Sequence, residues 1–341
     1  MEFPVLANGA PSPHSWRMTA LPPLPSKATG LLAPYGGDRP PAPAWFDAAL
    51  AIEPERSTFD VDGVAIELLT WGTIGKPGLL FLHGDSAHAD WWSFIAPFFA
   101  DDWRCAAISW SGMGGSGTRQ DYWLKTYADE VLGAIDAANL DDGSGVMMIA
   151  HSFGGYPAIA AATGPSGDRF RGLIAVDSAI IPPQLMEGVP NPRPRPHRIY
   201  ETQAEILGRF RFMPPGIGDQ HYAIDHVARR GMVEVARGDG SRGWRWRFDE
   251  GIWRDMDVRL QDRAISHLVS QARCPQALIV GADSALITGD IADYMRALYP
   301  AGTPWIDIPG AGHHVMIDQP LALVAAIRAC LALWPDRPAL S

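Results

Sequence analysis

A serine hydroxyl becomes a useful nucleophile only when the chain presents it at a constrained turn and brings a base to it. In Val146-Met147-Met148-Ile149-Ala150-His151-Ser152-Phe153-Gly154-Gly155 a short apolar run ends in a serine with small residues two positions to either side. An alanine-rich run, Tyr156 to Thr163, follows at once. That order predicts a strand, a sharp turn and a helix, with Ser152 at the apex. Strained backbone at such a turn needs small neighbours, and Ala150 and Gly154 supply them. The plainer alternative is a serine that only caps the helix.

Of the ten histidines, His313 is the best placed to serve as base. It lies on a loop bracketed by Gly310 and Gly312 after an apolar strand, where an imidazole can turn toward the hydroxyl. His151 beside the serine reads as a packed or hydrogen-bonded loop residue.

These groups need a scaffold of alternating elements. Residues 58–61 and 64–71 read as strands joined at Asp62-Gly63, a strong hairpin signal. Further strands are expected at 78–82, 104–110, 171–177, 276–281 and 304–309, several of them apolar throughout. Helices are expected at 90–100, 121–140, 290–299 and 319–333. The pattern predicts an α/β fold, a doubly wound, mostly parallel sheet of about eight strands covered on both faces.

Residues 1–54 are crowded with proline and lack periodicity, which suggests an extended or disordered N-terminal arm, while its scattered aromatics (Phe3, Trp16, Tyr35, Trp45, Phe46) leave docking against the main body open. The α/β core is expected over 55–180 and 263–341. The interval 181–262 is far longer than an ordinary connection and reads as an inserted α-helical cap. It contains helix-like pieces at 200–212 and 222–235, four arginines (Arg193, Arg195, Arg245 and Arg247) and an aromatic patch around Trp244, Trp246 and Trp253.

Composition narrows the classes. The chain has 341 residues, 47% of them hydrophobic, enough for one large core. With a formal net charge of -10 and no basic tract, nucleic acid and anionic membrane surfaces are poor partners. Three separated cysteines form neither a disulfide framework nor a C-x-x-C pair. No apolar run reaches membrane-helix length, and the start at Met1 lacks the marks of a secretory signal, so a soluble cytoplasmic protein is expected. Oligomeric state is not indicated.

Over roughly residues 55 to 335 the sequence resembles the α/β-hydrolase superfamily. The resemblance rests on Phe81-Leu82-His83-Gly84 after a strand, the serine turn, and Gly310-Ala311-Gly312-His313 after the last strand. The loop Gly112-Met113-Gly114-Gly115-Ser116 is also similar to that family's, although Ser109 and Ser111 stand where aspartate is common. The resemblance implies Ser152 as nucleophile and His313, not His314, as base. It implies amides of Phe153 and Asp85 as oxyanion donors, with His83 structural. The family's acid commonly lies three residues after a glycine closing the penultimate strand, yet here that position is Ser284. Asp177, at the end of the strand after the serine helix, is favoured as the acid, with Asp283 the alternative. No cofactor or metal is implied.

Trp91, Trp92, Trp244, Trp246 and Trp253 suggest an apolar or aromatic substrate chamber, although any one of them could be plain core. The expected function is a serine hydrolase acting on an ester or lactone of a small apolar or aromatic molecule through an acyl-enzyme. A carbon–carbon bond hydrolase of ring-fission products, with the same triad, and a non-catalytic ligand binder remain open.

Overall fold

The sheet begins with a hairpin. Strands β1 (Glu55–Val61) and β2 (Val64–Trp71) pair antiparallel, and Asp62 and Gly63 turn between them with φ of 51° and 79°. Two left-handed residues in a row match the twist of the flanking strands. The computed structural model describes residues 30–186, 196–252 and 265–334. Across them follow β3 (Gly78–Leu82), β4 (Arg104–Ile108), β5 (Val146–His151), β6 (Phe170–Val176), the separate hairpin β7 (Met232–Ala236) and β8 (Arg242–Trp246), then β9 (Gln276–Gly281) and β10 (Trp305–Ile308).

The main sheet has eight strands in the order β1-β2-β4-β3-β5-β6-β9-β10. β2 lies antiparallel to β4, and every pairing from β4 to β10 is parallel. Strands β3, β4, β5, β6 and β9 are buried at every residue, which explains their continuous apolar runs. Alternation still sorts their side chains. Met147 and Ile149 of β5 enter one buried cluster, while Val146, Met148 and Ala150 enter the other.

Helices α1 (Ala44–Leu50), α2 (Leu124–Ala137), α3 (Gly155–Thr163), α4 (Pro183–Met186), α5 (Gln203–Leu207), α6 (His221–Arg230), α7 (Gly289–Leu298), α8 (Val315–Asp318) and α9 (Pro320–Leu333) accompany these strands. One cluster takes Val131 and Ile135 of α2, Ile159 of α3 and Met295 of α7. The other takes Leu323 and Ile327 of α9 and Ile224 and Val227 of α6. No helix among the described residues is long and apolar enough to cross a membrane.

Three stretches differ from the sequence expectation. Residues 90–100 form two short 3-10 turns, Ala89–Trp91 and Ala96–Phe99, rather than one helix. Pro97 lacks the N–H that a continuous helix would need there. Helix α6 stops at Arg230, because Gly231 ends it and Met232 onward alternates as a strand. The interval 181–262 therefore carries a β-hairpin as well as helices. From Gly30 onward the proline-rich segment is packed, with Leu32 and Phe46 inside a core cluster. Phe46 meets Tyr222 at 4.8 Å and Tyr35 Oη bonds His221 Nδ1 at 2.9 Å, so both hold against α6.

The glycine loop after β4 finds carboxylates from elsewhere. Glu67 on β2 accepts from the Gly115 amide at 2.8 Å and from the Ser109 hydroxyl. Glu130 on α2 accepts from the Ser111 amide at 3.0 Å and pairs with Arg119 at 3.1 Å. Ser109 and Ser111, where the resembling family often has aspartate, thus lie against the carboxylates of Glu67 and Glu130.

Candidate active site

Ser152 has φ of 51°, a left-handed conformation that a non-glycine residue adopts only when its surroundings enforce it. β5 enters the turn from one side, and the 3-10 turn Ser152–Gly154 leads into α3 on the other. A Cβ on Gly154 would stand 2.6 Å from the His83 carbonyl oxygen, and one on Gly155 would overlap the Ser178 hydroxyl. That hydroxyl donates to the Ser152 carbonyl at 2.7 Å and braces the turn. Ala150 is fully buried, so a methyl group fits where the commoner pattern has glycine.

His313 leaves the loop after β10. Its Nδ1–H donates to Asp177 Oδ2 at 2.7 Å, with His313 only 4% exposed and Asp177 not at all. Asp177 follows β6, itself at φ 43°, and has two further donors. The Gly281 amide reaches Oδ1 at 2.9 Å and the Ser284 hydroxyl reaches Oδ2 at 2.7 Å. Three donors converging on one buried carboxylate fix its orientation. Asp283 is exposed, and its amide bonds the Ala311 carbonyl at 2.9 Å, beneath the loop that carries His313. Ser284 thus occupies the family acid's common position in the sequence and donates instead to the Asp177 carboxylate.

Gly84 lies against the turn, since a Cβ on it would sit 3.0 Å from Ser152 Cβ. Asp85 follows Gly84, and Phe153 follows Ser152, so both expected oxyanion amides belong to segments that meet at the serine. The Phe153 ring packs away with Tyr127 at 5.2 Å and Trp110 at 6.3 Å. Burial pushes the Asp85 carboxyl up to about 7, and its Oδ1 has neither solvent nor a bonding partner. Near neutrality that side chain retains much of its proton, which eases the conflict between a carboxylate and a developing oxyanion. His83 is held neutral, lowered to about 3 by burial, with Nδ1 donating to Gly84 O at 2.6 Å and Nε2 accepting from the Trp110 amide at 3.1 Å. It shapes the loop.

Aromatic rings gather around His313. His151 and His314 stand at ring distances of 4.8 Å each from His313. Burial, and then the neighbouring His313, hold both well below the usual imidazole range. Trp91 stacks near His151 at 6.3 Å, and Phe212 lies 4.5 Å from His314. Phe212 and the Pro214 carbonyl, which accepts from His314 Nε2 at 3.1 Å, come from the interval after β6. Asp318 ties that interval down, accepting from the Gly218 and Gly312 amides at 2.8 Å each.

The tryptophans divide. Trp91 reaches this cluster, whereas Trp92 is fully buried against Phe81 at 5.2 Å and is core, correcting its place among the chamber residues. Trp244 and Trp246 lie half-buried on β8, the latter 5.5 Å from Phe210. Trp253, Arg193 and Arg195 fall outside the described residues. Arg245 and Arg247 line a surface cleft of about 620 Å³ with Gly114, Ser116 and Asp249, and none of Ser152, Asp177 and His313 takes part in it. Phe212, Pro214, Ser178, Ser284 and Asp318 were not anticipated. Only Ser284 left a sequence signal, its spacing from Gly281.

The model of a family described as the alpha/beta hydrolase family matches residues 79–327. Esterase Rv0045c of Mycobacterium tuberculosis is 26% identical over 298 residues, covering 80% of this chain and 88% of its own. A serine hydrolase-like protein of Danio rerio is 25% identical over 283 residues, covering 75% and 82%. Among solved structures, E-2-(acetamidomethylene)succinate hydrolase superposes with a TM-score of 0.67 at 20% identity, over 82% of this chain and 99% of that one. At that identity the likeness speaks for the fold.

Proposed function

The chain belongs to the alpha/beta hydrolase family, and from that premise we propose that it is a serine hydrolase of esterase type. Its substrate in this reading is a carboxylic ester or lactone of a small apolar or aromatic molecule. The observation that carries the reading is the 2.7 Å bond from His313 to a fully buried Asp177, beside a serine held at φ 51°. The esterase named among its relatives supports the choice of bond.

In this mechanism Ser152 Oγ attacks the carbonyl carbon while His313 Nε2 takes the hydroxyl proton. Asp177 keeps the proton on Nδ1, so the lone pair lies on Nε2, and it stabilises the imidazolium that forms. The oxyanion rests on the amides of Phe153 and Asp85. His313 then returns its proton to the departing alkoxide, leaving an acyl ester on Ser152. Water attacks that ester with His313 again as base, and the acid is released as Oγ regains its proton. Trp91 and Phe212 furnish an apolar wall beside the base, which suits an uncharged acyl or alcohol group. A carboxylate-bearing substrate is less well served, since Arg245 and Arg247 face the separate cleft.

Hydrolysis of short-chain p-nitrophenyl esters, with fluorophosphonate labelling mapped by mass spectrometry, tests the reading. Turnover and labelling at Ser152 are expected. Ser152→Ala is expected to abolish labelling and cut turnover by about 10⁴-fold or more. A wild-type protein with neither turnover nor label would be a ligand binder.

A further inference from the structure

The loop that carries His313 and the segment that walls it are far apart in the sequence, yet one side chain holds both. We propose that Asp318 is a positioning residue for the two together, so that the placement of His313 and the preference among substrates are set by one carboxylate. The kinetic consequence rests on the hydrolytic role proposed above for His313; the coupling of the two segments does not.

The carboxylate divides its oxygens. Oδ2 accepts from the Gly312 amide at 2.8 Å, one residue before His313, and Oδ1 accepts from the Gly218 amide at 2.8 Å. The Ile217 amide faces the same group. Asp318 is 1% exposed, and its own amide bonds the His314 carbonyl at 3.0 Å, so the short helix α8 fixes where it stands. An asparagine there would offer one oxygen and turn its NH2 group toward the other N–H. A carboxylate accepts from both loops at once.

The segment 212–218 is shaped to this contact. A Cβ on Gly218 would stand 2.6 Å from Asp318 Oδ1, and one on Gly216 would stand 3.1 Å from the Phe212 ring. Toward its start, Phe212 lies 4.5 Å from the His314 ring and 5.7 Å from Trp91, and the Pro214 carbonyl accepts from His314 Nε2 at 3.1 Å. Between these two anchors Ile217 lays its side chain over Gly312, where a Cβ would be 3.4 Å from it, while remaining 52% exposed. On the opposite side the Gly312 carbonyl oxygen leaves no room for a Cβ on Gly281, whose amide bonds Asp177. The His313 loop is thus held between the strand end that bonds Asp177 and the carboxylate of Asp318. A displacement of the wall moves Gly312, and with it His313, because the support is shared.

The test compares p-nitrophenyl acetate with p-nitrophenyl octanoate on the full-length protein. In Asp318→Asn, kcat is expected to fall about tenfold or more for both esters, because His313 is displaced whichever is bound. KM is expected to rise at least about fivefold for the octanoate, which reaches the wall, and less than about twofold for the acetate, which does not. Ile135→Ala, a buried change in α2 within the other core cluster, should lower the melting temperature without that split. Deuterium uptake in Asp318→Asn should rise in residues 212–218 and 310–314 together. Wild-type kinetics, an equal KM change for both esters, or uptake rising in only one segment overturns the proposal. If Asp318→Asn fails to fold, Ile217→Ala at its half-exposed position still decides. It should raise the octanoate KM at least about fivefold, and an unchanged value overturns the wall. A wild-type protein that turns over neither ester removes the hydrolytic reading, and the uptake measurement then decides the coupling alone.

Discussion

At the scale of single residues the decisive contrast is between two aspartates with opposite surroundings. Asp177 is buried and bonds His313 at 2.7 Å, whereas Asp283 is exposed. Asp177→Asn is expected to lower kcat by about 10⁴-fold through loss of the correct tautomer. Asp283→Asn should stay within a few-fold of wild type in the same ester assay, and the reverse result would reassign the acid. Asp85 gives a pH-dependent prediction. Its folded pKa of about 7 lies above the ordinary 3.8. The folded state therefore holds a proton that the unfolded chain has lost, and stability falls as pH rises from 3.8 to about 7. Asp85→Asn should melt close to wild type near the lower limit and at a higher temperature than wild type above the upper one. Equal differences at both ends would remove burial as the cause. The serine and the glycine-flanked histidine stand out in the sequence because their neighbours are small for steric reasons. Which carboxylate meets the histidine is not written locally, because the bonds to Gly281 and Ser284 exist only once β6 lies beside β9.

At the scale of elements, the turn at Ser152 depends on close approach. A Cβ on Gly154 would meet the His83 carbonyl at 2.6 Å and the Leu82 carbonyl at 2.9 Å, both backbone atoms that cannot swing aside. Gly154→Ala is expected to destabilise by about 1–3 kcal/mol in denaturant melts and to reduce Ser152 labelling. A variant as stable and as reactive as wild type would show that the turn relaxes freely. The buried strands were legible because a two-faced parallel sheet makes them apolar at every position. Residues 90–100 were not, since their aromatic spacing suits a helix while Pro97 divides it into two turns. The β7–β8 hairpin was obscured for another reason. Helical periodicity in His221–Arg230 runs directly into the strand, and only Gly231 marks the change.

At the scale of the whole molecule, the proline-rich segment from Gly30 is structural. Phe46 is 3% exposed and touches Phe94 at 5.3 Å and Tyr222 at 4.8 Å, joining the segment to the sheet's covering layer and to α6. Arg229 on α6 bonds the Gly37 carbonyl at 2.6 Å as well as Asp225 at 2.7 Å. Phe46→Ala is expected to cost about 3–5 kcal/mol in thermal or denaturant unfolding, and a loss under about 1 kcal/mol would make the segment an appendage. Composition hid this, because proline signals irregular backbone without saying whether that backbone is packed. The position of Asp177 has a wider effect. Ser152 and Asp177 leave adjacent strands, β5 and β6, that are paired along their length. The connection after β9 then contributes one hydroxyl to the Asp177 carboxylate and need not bear a carboxylate of its own. Lineages descended from this chain could lengthen, shorten or redecorate most of that connection while the placement of Ser152 against Asp177 by β5 and β6 stayed intact, so divergence there is free to follow substrate and not chemistry.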